Sequence, residues 1–145
     1  MLSLIKKDLP KKIKEQIKMT KVIILGHGSY GTMIQENIKM LVGEIDGFYF
    51  IDFNITDDVN ILKNKVSQII DKIPTEPILF ACDLTGGTPF REACLLASSN
   101  QNYIVVGGLN TAGYCEIAYN LHLSPNELAK LGVEVSKESI MIFPE

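Results

Sequence analysis

From residue 21 onward, short apolar runs alternate with longer segments whose apolar residues recur at helical spacing. The runs are 22–25 (VIIL), 48–53 (FYFIDF), 78–82 (ILFAC) and 103–106 (YIVV). Three are apolar without a break, the pattern of strands covered on both faces of a parallel sheet, and the fourth is interrupted only by Asp52. Met33, Ile34, Ile38 and Leu41 predict a helix over 33–41; Val59, Leu62, Val66, Ile69, Ile70 and Ile73 predict another over 59–73. Thr88 before Pro89 reads as a hydroxyl N-cap with proline in the first helical position, opening a helix over 89–97. Ser124-Pro125-Asn126-Glu127 carries a capping box, and its helix is expected to end at about Leu131, stopped by Gly132. The last apolar segment, 139–143 (SIMIF), reads as one more strand.

This alternation predicts an α/β fold: an open three-layer α/β/α sandwich with a mainly parallel sheet in the order 2-1-3-4. The segment 139–143 is expected to add a C-terminal antiparallel edge strand. In such sheets the chemistry gathers beyond the carboxyl ends of the strands. That rule singles out four loops: 26–31, 52–54, 83–90 and 107–113.

Composition narrows the class. A chain of 145 residues, 46% hydrophobic and 21% charged, suits one ordinary globular domain. It has no apolar run near the roughly 18–20 residues that span a bilayer, and its N-terminus lacks the continuous apolar stretch of a secretory signal. A cytoplasmic protein is expected. Cys82, Cys94 and Cys115 are an odd number without C-x-x-C spacing, so they read as small core residues in a reducing compartment. With two histidines they make no zinc site. Residues 1–18 hold six lysines against Asp8 and Glu15, a net of +4 that leaves −7 for the rest of a chain totalling −3. Residues 1–19 therefore read as a basic N-terminal extension, with Met19 as an alternative initiator, and 20–145 as the domain. The tail lacks aromatic residues and the body is acidic, which argues against nucleic-acid binding.

Two of the four loops carry unusual chemistry. In Gly26-His27-Gly28-Ser29-Tyr30-Gly31, His27 stands where a strand becomes a loop, sterically uncovered between two glycines. In Asp83-Leu84-Thr85-Gly86-Gly87-Thr88-Pro89-Phe90, a carboxylate, a Gly-Gly pair and a helix start follow the third strand directly. Free N–H groups and a partial positive charge at that helix N-terminus suit an anion such as phosphate. A neutral imidazole is a competent nucleophile near neutral pH. A carboxylate bonded to one ring nitrogen fixes the tautomer and frees the other to attack. Asp83 is the natural partner if strands one and three are neighbours. Thr85, Thr88 and the amides around Gly86 and Gly87 would then hold phosphoryl oxygens, with no metal or cofactor required. His122, before the capped helix, reads as a surface residue.

Leu25-Gly26-His27-Gly28 after a first strand, with Asp83 to Phe90 after a third, resembles the mannose-family IIA domain of bacterial phosphoenolpyruvate-dependent sugar phosphotransferase systems, over about residues 20–135. The resemblance implies that His27 is phosphorylated through Nε2 and that Asp83 orients it. It also implies a histidine phosphocarrier protein as donor, a IIB component as acceptor and, indirectly, a IIC/IID membrane permease. Members of the family form homodimers, often exchanging a C-terminal strand, a part that 139–143 is suited to play. The chain departs from the family at Arg91, where asparagine is usual, and in Asn110-Thr111-Ala112-Gly113, which keeps only the asparagine.

Three other readings compete. Gly26-x-Gly28-x-x-Gly31, with Asp52 ending the second strand, matches a dinucleotide fingerprint, but that reading leaves His27 and the 83–90 motif without a role. The phosphotransfer subunit of a dihydroxyacetone kinase shares the resemblance and differs in its acceptor. A regulatory IIA without turnover has only Arg91 in its favour. No G-x-x-x-x-G-K-[ST] is present, which excludes a P-loop hydrolase.

Overall fold

The computed structural model describes Pro10 and residues 18–145. The basic extension expected over 1–19 therefore falls almost wholly outside the described residues. Lys18 donates from Nζ to the Thr75 carbonyl at 3.1 Å. Thr20, 1% exposed, anchors the first strand by donating from its amide and its hydroxyl to the carbonyls of Leu121 and Leu123.

Nine elements follow: β1 (Lys21–His27), α1 (Tyr30–Val42), β2 (Phe48–Phe53), α2 (Val59–Ile70), β3 (Ile78–Cys82), α3 (Thr88–Ser98), β4 (Tyr103–Gly107), α4 (Thr111–Ala118) and α5 (Pro125–Glu138). The four strands are parallel in the order β2-β1-β3-β4. Alternation along β1 builds two cores. Val22 and Ile24 face α1, α4 and α5 with Leu79, Ala81, Tyr114, Ile117 and Leu128. Ile23 and Leu25 face α2 and α3 with Phe80, Cys82, Leu62, Val66 and Ala93. The expected three-layer sandwich and strand order are therefore present.

Four local expectations need correction. The 59–73 helix stops at Ile70, where Lys72 and Ile73 turn back onto the carbonyls of Ile69 and Ile70, ahead of Pro74. The N-cap of α3 is Gly87, not Thr88, and no side chain caps it. Gly132 does not end α5, which runs on to Glu138; a Cβ there would lie 2.7 Å from Cδ1 of Ile117 and 3.1 Å from Cδ1 of Leu109, so its smallness serves packing. Residues 139–143 form no strand and pair with nothing described, because a strand needs a free edge to join and the tail has not reached one. The structure also adds α4, capped by Asn110 through the amide of Gly113. The capping box at Ser124 and Glu127 is formed as expected.

Among the described residues no helix is long and apolar enough to cross a membrane. Cys82 is fully buried, whereas Cys94 and Cys115 are half-buried, and all three are free thiols. His122 is exposed in the turn before α5.

Candidate functional site

The chain leaves β1 for β2 on one side and later returns to place β3 on the other. This makes the carboxyl ends of β1 and β3 the switch point of the sheet. Leu25 is in register with Cys82, and the amide of Asp83 donates to the Leu25 carbonyl at 3.2 Å. Asp83 thus arrives beside Gly26, where a Cβ would lie 2.7 Å from both Cβ and Cγ of Asp83 and 2.5 Å from Cδ1 of Tyr30. Only glycine lets the carboxyl group and the tyrosine ring close over β1 at that point.

His27 is the last residue of β1, and its Nδ1 lies 2.8 Å from Oδ2 of Asp83. The same oxygen accepts from the His27 amide at 2.9 Å, and Oδ1 accepts from the Leu84 amide at 2.9 Å. Two backbone donors therefore lock the carboxylate before the ring meets it, and an acceptor-only carboxylate requires Nδ1 to carry the proton. Nε2 is then the nitrogen with the lone pair. The ring is 45% exposed on its side chain, against 16% for Asp83. Phe53, opposite His27 in the register, flanks the ring at 5.8 Å between centroids.

Gly87 approaches the other edge of the ring: a Cβ there would lie 2.8 Å from Cε1 and 3.5 Å from Nε2 of His27. Because Gly87 is the N-cap of α3, the uncapped first turn of that helix, beginning with Thr88, opens beside Nε2. Gly86 adopts the left-handed conformation, φ 85°, that turns the chain into this position. Thr85 sits over the end of β4, since a Cβ on Gly107 would lie 2.5 Å from its Oγ1. His27, Asp83, Gly87 and the start of α3 are thus gathered at one point, with Thr85 on the β4 side. Arg91 is exposed one turn into α3, its amide donating to the Gly87 carbonyl.

Residues 21–113 match the family model described as the PTS system fructose IIA component, EIIA-man. The chain belongs to this family. Among relatives of the IIA family, it is 28% identical over 129 residues to the PTS system fructose-specific EIIA component of Bacillus subtilis (strain 168), covering 88% of each chain. It is 30% identical over 126 residues to the PTS system mannose-specific EIIAB component of Escherichia coli (strain K12), which matches 84% of this chain but 39% of that longer protein. In fold it resembles the mannose/sorbose specific IIA subunit of Enterococcus faecalis, with a TM-score of 0.81, 24% identity, and coverage of 88% of this chain and 96% of that one.

Two features of this IIA-family site escaped the sequence reading. Tyr30, the first residue of α1, covers Gly26 and shares a hydrogen bond of 2.5 Å with the hydroxyl of fully buried Tyr114 on α4. Burial is the largest cause holding both phenols above their usual pKa, and the nearby Asp83 charge adds to it. Tyrosine three residues after the histidine was the available signal, but its partner is 84 positions away. The second feature is Asp52, which the dinucleotide reading would assign to a ribose. Its Oδ1 accepts from the Thr32 amide at 2.9 Å and its Oδ2 from the Thr32 hydroxyl at 2.6 Å, so it fastens the first turn of α1. Among the described residues no cluster of three or more His, Cys, Asp or Glu side chains is placed to hold a metal.

Proposed function

We propose that this chain is the IIA component of a sugar phosphotransferase system, accepting a phosphoryl group on Nε2 of His27 and passing it to a IIB component. The reading is carried by one observation: a carboxylate fixed by backbone amides holds Nδ1 of His27 at 2.8 Å, leaving Nε2 open beside an uncapped helix N-terminus. Family membership supplies the phosphotransferase system, and this geometry supports the roles of the individual residues.

The lone pair of Nε2 attacks phosphorus on the phosphohistidine of the phosphocarrier protein. The new N–P bond forms as the donor's N–P bond breaks, and the bonding pair leaves with the donor ring. His27 becomes an imidazolium that keeps its Nδ1 proton against Asp83, so no proton need move during transfer. Free amides of the first α3 turn and the Thr88 hydroxyl would meet the phosphoryl oxygens, whereas Thr85, expected to join them, lies over the end of β4. Transfer to the IIB component reverses these bond changes and returns a neutral ring. The protein would work on the cytoplasmic side as a homodimer, with a IIC/IID permease as the indirect beneficiary.

Incubation with phosphoenolpyruvate, enzyme I and the phosphocarrier protein is expected to add one acid-labile phosphoryl group per chain. The group brings roughly −1.5 to −2 charges, enough for a native-gel shift. His27→Ala should abolish the shift. Labelling that survives this substitution would refute the assignment.

A further inference from the structure

We infer that Tyr30 is a positioning residue for phosphoryl transfer: its ring walls the Asp83 carboxylate off from water, so that Asp83 favours the phosphorylated over the free form of His27. This role of Tyr30 rests on the phosphotransfer reading of the site and adds to it a side chain outside the His27–Asp83 pair.

The two side chains meet at Gly26. A Cβ there would lie 2.5 Å from Cδ1 of Tyr30 and 2.7 Å from both Cβ and Cγ of Asp83, so ring and carboxyl group close over the same point of β1. Residues 22, 24 and 26 face the side of the sheet covered by α1 and α4, and Tyr30 packs against that core. Three separate contacts hold the ring there. Gly31 seats the start of α1 on β2, since a Cβ on it would lie 2.6 Å from the Ile51 carbonyl oxygen. Thr32 is bound through its amide and its hydroxyl to Asp52. The Tyr30 hydroxyl shares a hydrogen bond with that of fully buried Tyr114. Ser29, the N-cap of α1, makes no side-chain capping bond, so these contacts set where the ring lies. The Asp83 side chain is only 16% exposed, although it stands at the end of the sheet beside a half-exposed imidazole. Burial, with the Asp83 charge adding to it, raises the Tyr30 phenol above its ordinary pKa, so the ring beside the carboxylate stays neutral.

The sign of the effect follows from electrostatics. A carboxylate shielded from water is less stable alone and attracts a cation more strongly. Before transfer Asp83 faces a neutral ring; afterwards it faces an imidazolium, with the Nδ1 proton between them in both states. Shielding therefore raises the energy of the free form relative to the phosphorylated one. One N–P bond breaks on the donor as one forms at Nε2, so the partition of phosphoryl between the two proteins reads this difference.

The test is an equilibrium measurement on the full chain. Phosphorylated phosphocarrier protein is mixed with an equal amount of chain, and both phosphorylated species are quantified on a native gel. Tyr30→Gln and Tyr30→Ala remove the ring, and each is expected to shift the partition about tenfold towards the phosphocarrier. Glutamine suits a half-exposed position in the first turn of a helix, so that variant should fold even if the alanine variant does not. Tyr30→Phe keeps the ring and should restore the original ratio, although it destabilises the fold through Tyr114. A merely structural role would change the folded fraction without moving the ratio among folded molecules. An unchanged partition in Tyr30→Gln, or an equal shift in Tyr30→Phe, would overturn the role given to Tyr30 and leave the phosphotransfer reading standing. An unsubstituted chain that takes no phosphoryl group would remove that reading, and the role of Tyr30 with it.

Discussion

A single hydrogen at Gly87 leaves room for the His27 imidazole. Its φ of −74° is ordinary for any residue, so alanine there would act on the ring and not on the backbone. Gly87→Ala is expected to slow phosphoryl acceptance by about 10²-fold, because displacing a reacting atom by about an ångström has that effect. The fold should be retained, and equal rates in a single-turnover labelling assay would sink the argument. Asp83→Asn distorts the site differently. With its amide oxygen in place of Oδ2, the new NH₂ confronts the Leu84 amide; turned round, it confronts the His27 amide and drives the ring proton to Nε2. Neither orientation preserves both the carboxylate's hydrogen bonds and the nucleophile. Labelling should slow by roughly 10²-fold or more with the chain still folded; an unchanged rate would show that Asp83 does not orient the ring.

At the scale of elements, the hydroxyls of Tyr30 and Tyr114 tie α1 to α4 beneath the site. Tyr30→Phe strands the fully buried Tyr114 hydroxyl and should cost about 1–3 kcal/mol, whereas removing both hydroxyls should cost less than the two single substitutions summed. Urea denaturation of the four proteins measures this coupling, and additive losses would disprove it. The neighbouring elements also show what was readable beforehand. Strands and sheet order were legible because 22–25 of β1 and all of β3 are buried on both faces, so their side chains there are apolar without interruption. His27 and Asp83 were legible because strand ends dictate where loops meet. α4 was not, because Thr111–Ala118 is buried on several sides and shows no clear apolar stripe; only Asn110, its N-cap, announced it. Gly132 misled for a related reason: glycine marks a helix end and a close helix contact with the same letter. The Tyr30–Tyr114 and Asp52–Thr32 contacts depend on distant chain segments, which no local pattern encodes.

At the scale of the whole molecule, the C-terminal tail leaves the domain with its apolar side chains uncovered. Asn110 holds its root through the Ser139 hydroxyl at 2.8 Å, and beyond it Ile140, Met141, Ile142 and Phe143 are 75%, 77%, 77% and 90% exposed. Four consecutive large apolar residues in water are unusual for a chain that works alone. Among the described residues β4 pairs with β3 alone, which leaves its outer edge without a neighbouring strand, and beside that edge Val105, Val106, Ala129 and Val133 line a groove of about 540 Å³. A tail from a second copy would satisfy the edge hydrogen bonds and cover both apolar surfaces at once, completing the strand expected at 139–143. Truncation after Ser139 should therefore convert a dimer to a monomer in analytical ultracentrifugation and lower the melting temperature. His27 labelling should persist, since the site is built on β1 and β3. A full-length chain that sediments as a monomer at micromolar concentration would exclude this assembly. A truncated chain that stays dimeric would move the interface elsewhere, with the exposed face of α1 around Met33, Met40 and Leu41 the next surface to probe.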